Sequence, residues 1–201
     1  MQADKILFID TETGGLDPDI NSLLSIALVV WKENVILDQK EILINDGVLN
    51  ATEKSLQING IDLEQHKINA INPREALKEF DDFISRHFAG DEKITLGGHN
   101  ITFDVGFLKH FLISNNYNYV ARFSHRHVDT ATILFYLYLT GKLKNKIVSS
   151  QEAFDFFGIK VSGRHTALGD ALATAQLFSD LIAMLYKERK PRSSSTMPEL
   201  F

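Results

Sequence analysis

Asp10 and Glu12 stand two residues apart in the run FIDTET, at the end of the apolar stretch Lys5–Asp10 (KILFID). The stretch reads as a buried strand. Side chains at i and i+2 of a strand leave the same face, so the two carboxylates aim at one place. Like charges at the end of a buried strand are costly unless something compensates them. Ligands made only of oxygen favour Mg²⁺ or Mn²⁺ for that work. Taken alone, D-x-E reads first as a solvated strand end. Here Thr11, Thr13, Gly14 and Gly15 surround the pair, and such small residues let a substrate backbone come close.

Two further carboxylates sit in suggestive settings. Asp104 follows Gly97-Gly98-His99-Asn100 and opens an apolar helix. The helix macrodipole alone explains an acid there, with Phe103 as core. In the functional reading, the strand before it delivers Asp104 to the same end of the sheet as Asp10. Asp170 lies in GRHTALGDA, on a small-residue face with Ala167, Ala171 and Thr174. Five helical residues span about 500°, so His165 and Asp170 cannot share a face if both are helical. His165 must sit in the loop before the helix, bounded by Gly158 and Gly163, for the two to converge. Each feature, taken singly, is structural.

The elements that must position these groups follow from periodicity. Leu23–Lys32 and Val35–Leu43 are β-rich runs separated by Glu33-Asn34, a hairpin signal. An irregular stretch leads to Pro73, which opens a helix with Ala76, Leu77, Phe80, Phe83 and Ile84 on one face. Lys93–Gly98 is a strand. Phe103–Ile113 is a helix with Phe103, Phe107, Leu108 and Phe111 facing inward, and His127–Asp129 is a short strand end. Thr130–Leu139, Ser150–Phe157 (with Ser150 as N-cap) and Ala167–Tyr186 are helices. The order predicts an α/β protein with a mixed sheet. We expect one domain over residues 1–187, and a basic, Ser- and Pro-containing tail over 188–201 that does not pack.

The order D-x-E, then G-H-N-x-x-F-D, then H-x-x-x-x-D resembles the DEDDh exonucleases, the DnaQ-like group that includes the epsilon-type proofreading exonucleases of bacterial DNA polymerase III. The resemblance runs from about Ile6 to about Leu177. Thr166 stands where the tyrosine-type sister group places Tyr. Gln57-Ile58-Asn59-Gly60-Ile61 is similar to the family's I-H-G-I loop, with Asn59 where His is common.

The resemblance implies a ribonuclease-H-like fold, a mixed central β-sheet flanked by helices. It also implies two divalent ions, Mg²⁺ or Mn²⁺, held by Asp10, Glu12, Asp104 and Asp170. Asp10 would bridge both ions, Glu12 and Asp170 would complete one site, and Asp104 would support the other. His165 would take the proton from the attacking water. Thr11, Thr13, Gly14, Gly15, Leu16, Asn100 and Phe103 would contact substrate. The implied reaction is 3′–5′ release of nucleoside 5′-monophosphates, from single-stranded or frayed DNA of the proofreading or repair type. An exoribonuclease trimming RNA ends is the alternative, and a catalytically silent binding subunit is an alternative of another class.

Composition narrows the field further. The chain has 201 residues, 44% hydrophobic, with no cysteine, which excludes disulfides, zinc knuckles and cysteine nucleophiles. A net charge of −5 argues against a broad, sequence-independent duplex binder but leaves room for a narrow site. The start carries no signal-peptide layout, and the apolar run Leu23–Trp31 is short for a membrane helix, so a soluble cytoplasmic protein is expected. Arg122, Arg126 and His127, or Lys142, Lys144 and Lys146, would steer a phosphate backbone or form a solvated surface. Met197-Pro198-Glu199-Leu200-Phe201 loosely resembles the Leu-Phe motifs that dock on the bacterial sliding clamp, which would make a clamp or polymerase a partner.

Overall fold

The computed structural model describes residues 4–162 and 166–187. β1 (Ile6–Thr13) starts a meander through β2 (Leu23–Lys32) and β3 (Val35–Leu43), paired antiparallel. Glu33 and Asn34 both take positive φ, 51° and 66°, which matches the two-residue turn to the right-handed twist of the strands it joins. After α1 (Glu53–Asn59), α2 (Leu63–Asn69) and α3 (Pro73–His87), the chain returns to the sheet as β4 (Ile94–Gly98), parallel to β1. α4 (Thr102–Ser114) and α5 (Tyr119–Arg122) lead into β5 (Phe123–Asp129), parallel to β4. α6 (Thr130–Leu139), α7 (Ser150–Phe157) and α8 (Ala167–Lys187) follow. Among the described residues the sheet order is β3-β2-β1-β4-β5. The expected mixed sheet between helices is the architecture observed.

Both faces of the central strands are covered, so β2 is almost continuously apolar and lacks the usual alternation. Leu7, Ile9, Ile26, Leu28 and Val30 pack against α3 and α4, while Phe8, Ala27, Val29 and Trp31 pack against α8. α8 approaches closely because Ala167, Ala171 and Ala175 line its sheet-facing side. Trp31 Nε1 donates to Ser179 Oγ at 2.8 Å and locks its other end. By length and composition α8 passes as a membrane span, yet it serves as the core helix on this face of the sheet. α6 and α7 flank it through Leu134, Leu137, Phe154, Leu177 and Leu181.

Several local expectations change. The first strand does not end at Asp10 but continues through Glu12 to Thr13. β5 spans seven residues, more than the predicted strand end. The N-cap of α7 is Ser149, whose side chain accepts from the Glu152 amide, and not Ser150. The stretch read as irregular contains α1 and α2, capped by Thr52 and Asp62. Arg122 is buried and donates to the carbonyls of Phe88, Ala89 and Glu92, so it ties loops together and faces no phosphate.

Candidate active site

The site forms where the sheet opens. β4 pairs with β1 only from Ile6 to Phe8, whereas β2 follows β1 to its end. Beyond Phe8, one edge of β1 therefore lacks a strand partner among the described residues. Asp10 and Glu12 point to the α8 side of this opened segment and Thr11 to the α4 side.

Asp170, in the first turn of α8, meets the pair from above. Asp10, Glu12 and Asp170 each offer a carboxylate oxygen, all within 4.8 Å of one another, and all three residues are half-buried. Three like charges this close repel one another, and a hard divalent cation with oxygen ligands relieves that repulsion. The donor set fits Mg²⁺ or Mn²⁺.

Asp104 arrives from the other layer, in the first turn of α4, and is nearly fully buried. Thr11 Oγ1 donates to Asp104 Oδ1 at 2.7 Å. Burial pushes the Asp104 carboxyl up to about 7, against the pull of the Thr11 hydroxyl and amide. The strand β4 and helix α4 thus bring Asp104 to the same end of the sheet as Asp10, as the spacing implied. His165 lies outside the described residues, as do Met197–Phe201 and the clamp motif they would form.

The turn between β4 and α4 is fastened by residues outside the carboxylate set. Asn100 has φ 57° and is exposed, and its amide donates to Asp129 Oδ1 at 2.9 Å. The same carboxylate caps α6 by accepting from the Ala131 amide. Thr130 Oγ1 donates to the Gly98 carbonyl and accepts from His99 Nδ1 at 3.0 Å. Burial holds His99 below the usual imidazole range, consistent with that neutral donor.

A cavity of about 290 Å³ adjoins the carboxylates, lined by Glu12, Leu16, Ile58, Asn59 and Phe103 among others. Leu16 is 84% and Phe103 38% exposed. Phe103 therefore does not face the core, unlike Phe107, Leu108 and Phe111. It lies in the first turn of α4 and lines this cavity together with Ile58 and Asn59 of α1. Asn59, which sequence reasoning noted only as a departure, is buried and bridges the end of β1 to α1. It donates from Nδ2 to the Thr13 carbonyl and accepts from the Ile61 amide.

Gly14 and Gly15 have a packing reason to be small. A Cβ on Gly14 would overlap the Asn50 carbonyl oxygen and stand 2.9 Å from Ala51 Cα. On Gly15 it would run into the Asn21 side chain. Thr13 Oγ1 donates to the Gly15 carbonyl at 2.7 Å, so it braces the same loop.

Sequence reasoning passed over Glu41. Register pairs Asp10 with Ala27 and Ala27 with Glu41, so the strand pattern carried the signal once the pairing is known. Burial raises the Glu41 carboxyl, while the Leu168 amide and the Ser25 hydroxyl pull it back.

A protein-family model described as Exonuclease matches residues 7–178. Ribonuclease T of Blochmanniella pennsylvanica (strain BPEN) is 30% identical over 192 residues, covering 87% of this chain and 82% of that protein. The 3′-5′ DNA exonuclease Cap18 of Escherichia coli is 26% identical over 197 residues, 94% of this chain and 98% of that one. Among solved structures, E. coli exonuclease I in complex with a dT13 oligonucleotide shares the fold, with a TM-score of 0.73 at 18% identity. The match covers 94% of this chain and 42% of exonuclease I, so the chain spans less than half of that relative.

Proposed function

The chain belongs to the exonuclease family matched over residues 7–178, and we propose that it removes nucleoside 5′-monophosphates from single-stranded 3′ ends, DNA ahead of RNA. The observation that carries this reading is the trio Asp10, Glu12 and Asp170, gathered within 4.8 Å at the opened edge of β1. In this reading Asp10, Glu12 and Asp170 would hold one divalent ion, and Asp10 with Asp104 would hold a second. When bound, such ions make water more acidic and stabilise the leaving 3′ oxygen.

The chain's own groups do the rest. His165 precedes α8 in sequence and takes the proton of the attacking water, a task suited to an imidazole with a pKa of about 6.5. The water oxygen bonds to phosphorus as the bond to the 3′ oxygen breaks; that oxygen takes a proton from solvent, and His165 returns its own proton to solvent. Thr11 orients Asp104 through its hydroxyl. Leu16 and Phe103 offer exposed apolar surface beside the trio, where the terminal bases of a single strand stack. Asn100 contributes through the turn that its amide closes with Asp129.

DNA is favoured by the near full-length similarity to a DNA exonuclease, which together with the apolar cavity supports a proofreading or repair type of activity. A ribonuclease T at 30% identity favours the second reading, RNA end trimming. Matched DNA and RNA oligonucleotides with free 3′ ends decide between them. Faster DNA shortening supports the first reading, and faster RNA shortening the second.

A further inference from the structure

α6 does not carry the solvent face of an ordinary surface helix. Leu134 and Leu137 are buried in one cluster with Leu177 and Leu181 of α8. A helix packed on one side turns charged and polar residues outward on the other. The sequence of α6, TATILFYLYL, holds no charge at all. Phe135, Tyr136, Tyr138 and Leu139 are exposed there instead, Tyr136 by 62%. The Phe135 and Tyr138 rings lie 6.5 Å apart with their planes 28° from parallel. Exposed large apolar side chains gathered in this way mark a binding surface.

The turn after the helix supplies positive charge beside these rings. Gly141 takes φ 72°, and the Lys142 and Leu143 amides both donate to the Leu137 carbonyl, at 2.9 and 3.2 Å. Leu143 is buried in the cluster of Leu134, Leu137 and Phe154, which fastens the turn to the helix. Lys144 and Lys146 are exposed. Lys146 Nζ stands over the Phe135 ring, 5.2 Å from its centroid, a cation held on an aromatic face. Residues 130–151 contain three lysines and no Asp or Glu, a local +3 within a chain of net charge −5. The next acid, Glu152, accepts from the Val148 amide at 2.9 Å.

Rings interleaved with lysines suit a single strand, whose bases stack on the rings while its phosphates meet the ammonium groups. A second copy of this chain fits less well, because an isologous contact brings two lysine-bearing surfaces together. The helix also starts at the right place. Asp129 caps α6 and accepts the Asn100 amide at the turn before α4, and Thr130 Oγ1 donates to the Gly98 carbonyl. Asp104 leaves from that same turn. Phe135 is five residues into α6, about 8 Å along its axis.

We propose that α6 and its lysine turn form a track for the single-stranded DNA lying 5′ to the terminal nucleotide. Tyr136 and Tyr138 stack bases, Lys144 and Lys146 meet phosphates, and Phe135 holds Lys146 in place. The inference rests on the reading of the chain as an exonuclease of single strands, and it makes affinity grow with strand length.

Fluorescence anisotropy with labelled dT20 and dT4, in EDTA so that no strand is shortened, tests it. The double variant Lys144→Ala/Lys146→Ala should bind dT20 several-fold more weakly. Its log affinity should fall less steeply with log salt, by about 1.4, since each phosphate contact in a single strand contributes about 0.7. Tyr136→Ala should weaken dT20 about fivefold or more through lost stacking and keep the wild-type salt slope. Both variants should bind dT4 within about twofold of wild type. Wild-type affinity for dT20 in either variant, or an unchanged salt slope in the lysine variant, would overturn the track. An equal loss for dT4 and dT20 would overturn it too. So would a sedimentation mass of two chains that falls to one in Tyr136→Ala, which would give the face to a second copy. A wild type that binds dT20 through these residues but shortens no strand with Mg²⁺ would leave the track standing and overturn the nuclease reading.

Discussion

Thr11 Oγ1 reaches Asp104 Oδ1 at 2.7 Å, joining residues 93 positions apart and linking the sheet to helix α4. Because Thr11 and Asp10 are neighbours on one strand, this bond fixes Asp104 relative to the carboxylate trio. Thr11→Val keeps the side-chain volume and removes the donor. It should cost about 1–3 kcal/mol in urea unfolding, because a buried acceptor is left unserved. Turnover should fall about tenfold or more, as for other supports behind metal ligands. Thr11→Ser should retain both properties, and a Thr11→Val enzyme of unchanged turnover would contradict the role.

The motif residues were legible in sequence because their spacing within single elements survives folding. Two-residue spacing on β1 put Asp10 and Glu12 on one face. The partners of those residues were not legible. Thr11 meets Asp104 only through sheet register and layer stacking. The short helices α1 and α2 bury only Asn59 and His66, respectively, so neither has an apolar stripe to announce it. Phe103 keeps helical spacing with Phe107, yet it lines the cavity beside the carboxylates.

The exposed apolar side chains separate binding from folding. Phe103→Ala and Leu16→Ala should each leave stability within about 0.5 kcal/mol. If each stacks on a base, KM for single strands should rise by the equivalent of about 1–3 kcal/mol. Unchanged KM in both variants would remove the stacking role.

Gly14 and Gly15 should differ in tolerance. Gly14→Ala drives a methyl into the backbone of Asn50 and Ala51, which cannot yield without moving the loop. It should lose about 2 kcal/mol or more. Gly15→Ala meets only the Asn21 side chain, which can rotate away from the Asp17 amide it accepts from, so the loss should be smaller. Thermal unfolding of both variants checks the order.

Asp38 gives a pH signature away from the site. His87 Nε2 bonds Asp38 Oδ2 at 2.8 Å, and together with the Gln39 amide it holds the Asp38 carboxyl below its ordinary value of 3.8. A carboxyl depressed on folding adds stability that is present above 3.8 and vanishes as pH falls through the lower folded value. Asp38→Asn should therefore lose a small amount of stability at neutral pH, small because the pair is partly exposed, and flatten the acid limb by that same amount. Identical acid limbs would contradict this.

The central claim is that the trio at the opened edge of β1 drives cleavage from the 3′ end. A 5′-labelled single strand incubated with Mg²⁺ or Mn²⁺ tests it most directly, with wild type beside Asp10→Ala. The account predicts a ladder that shortens one nucleotide at a time from the 3′ end with wild type. It predicts no shortening with Asp10→Ala, whose circular dichroism should match wild type. Near-normal degradation by Asp10→Ala, or internal cuts by wild type, would contradict it.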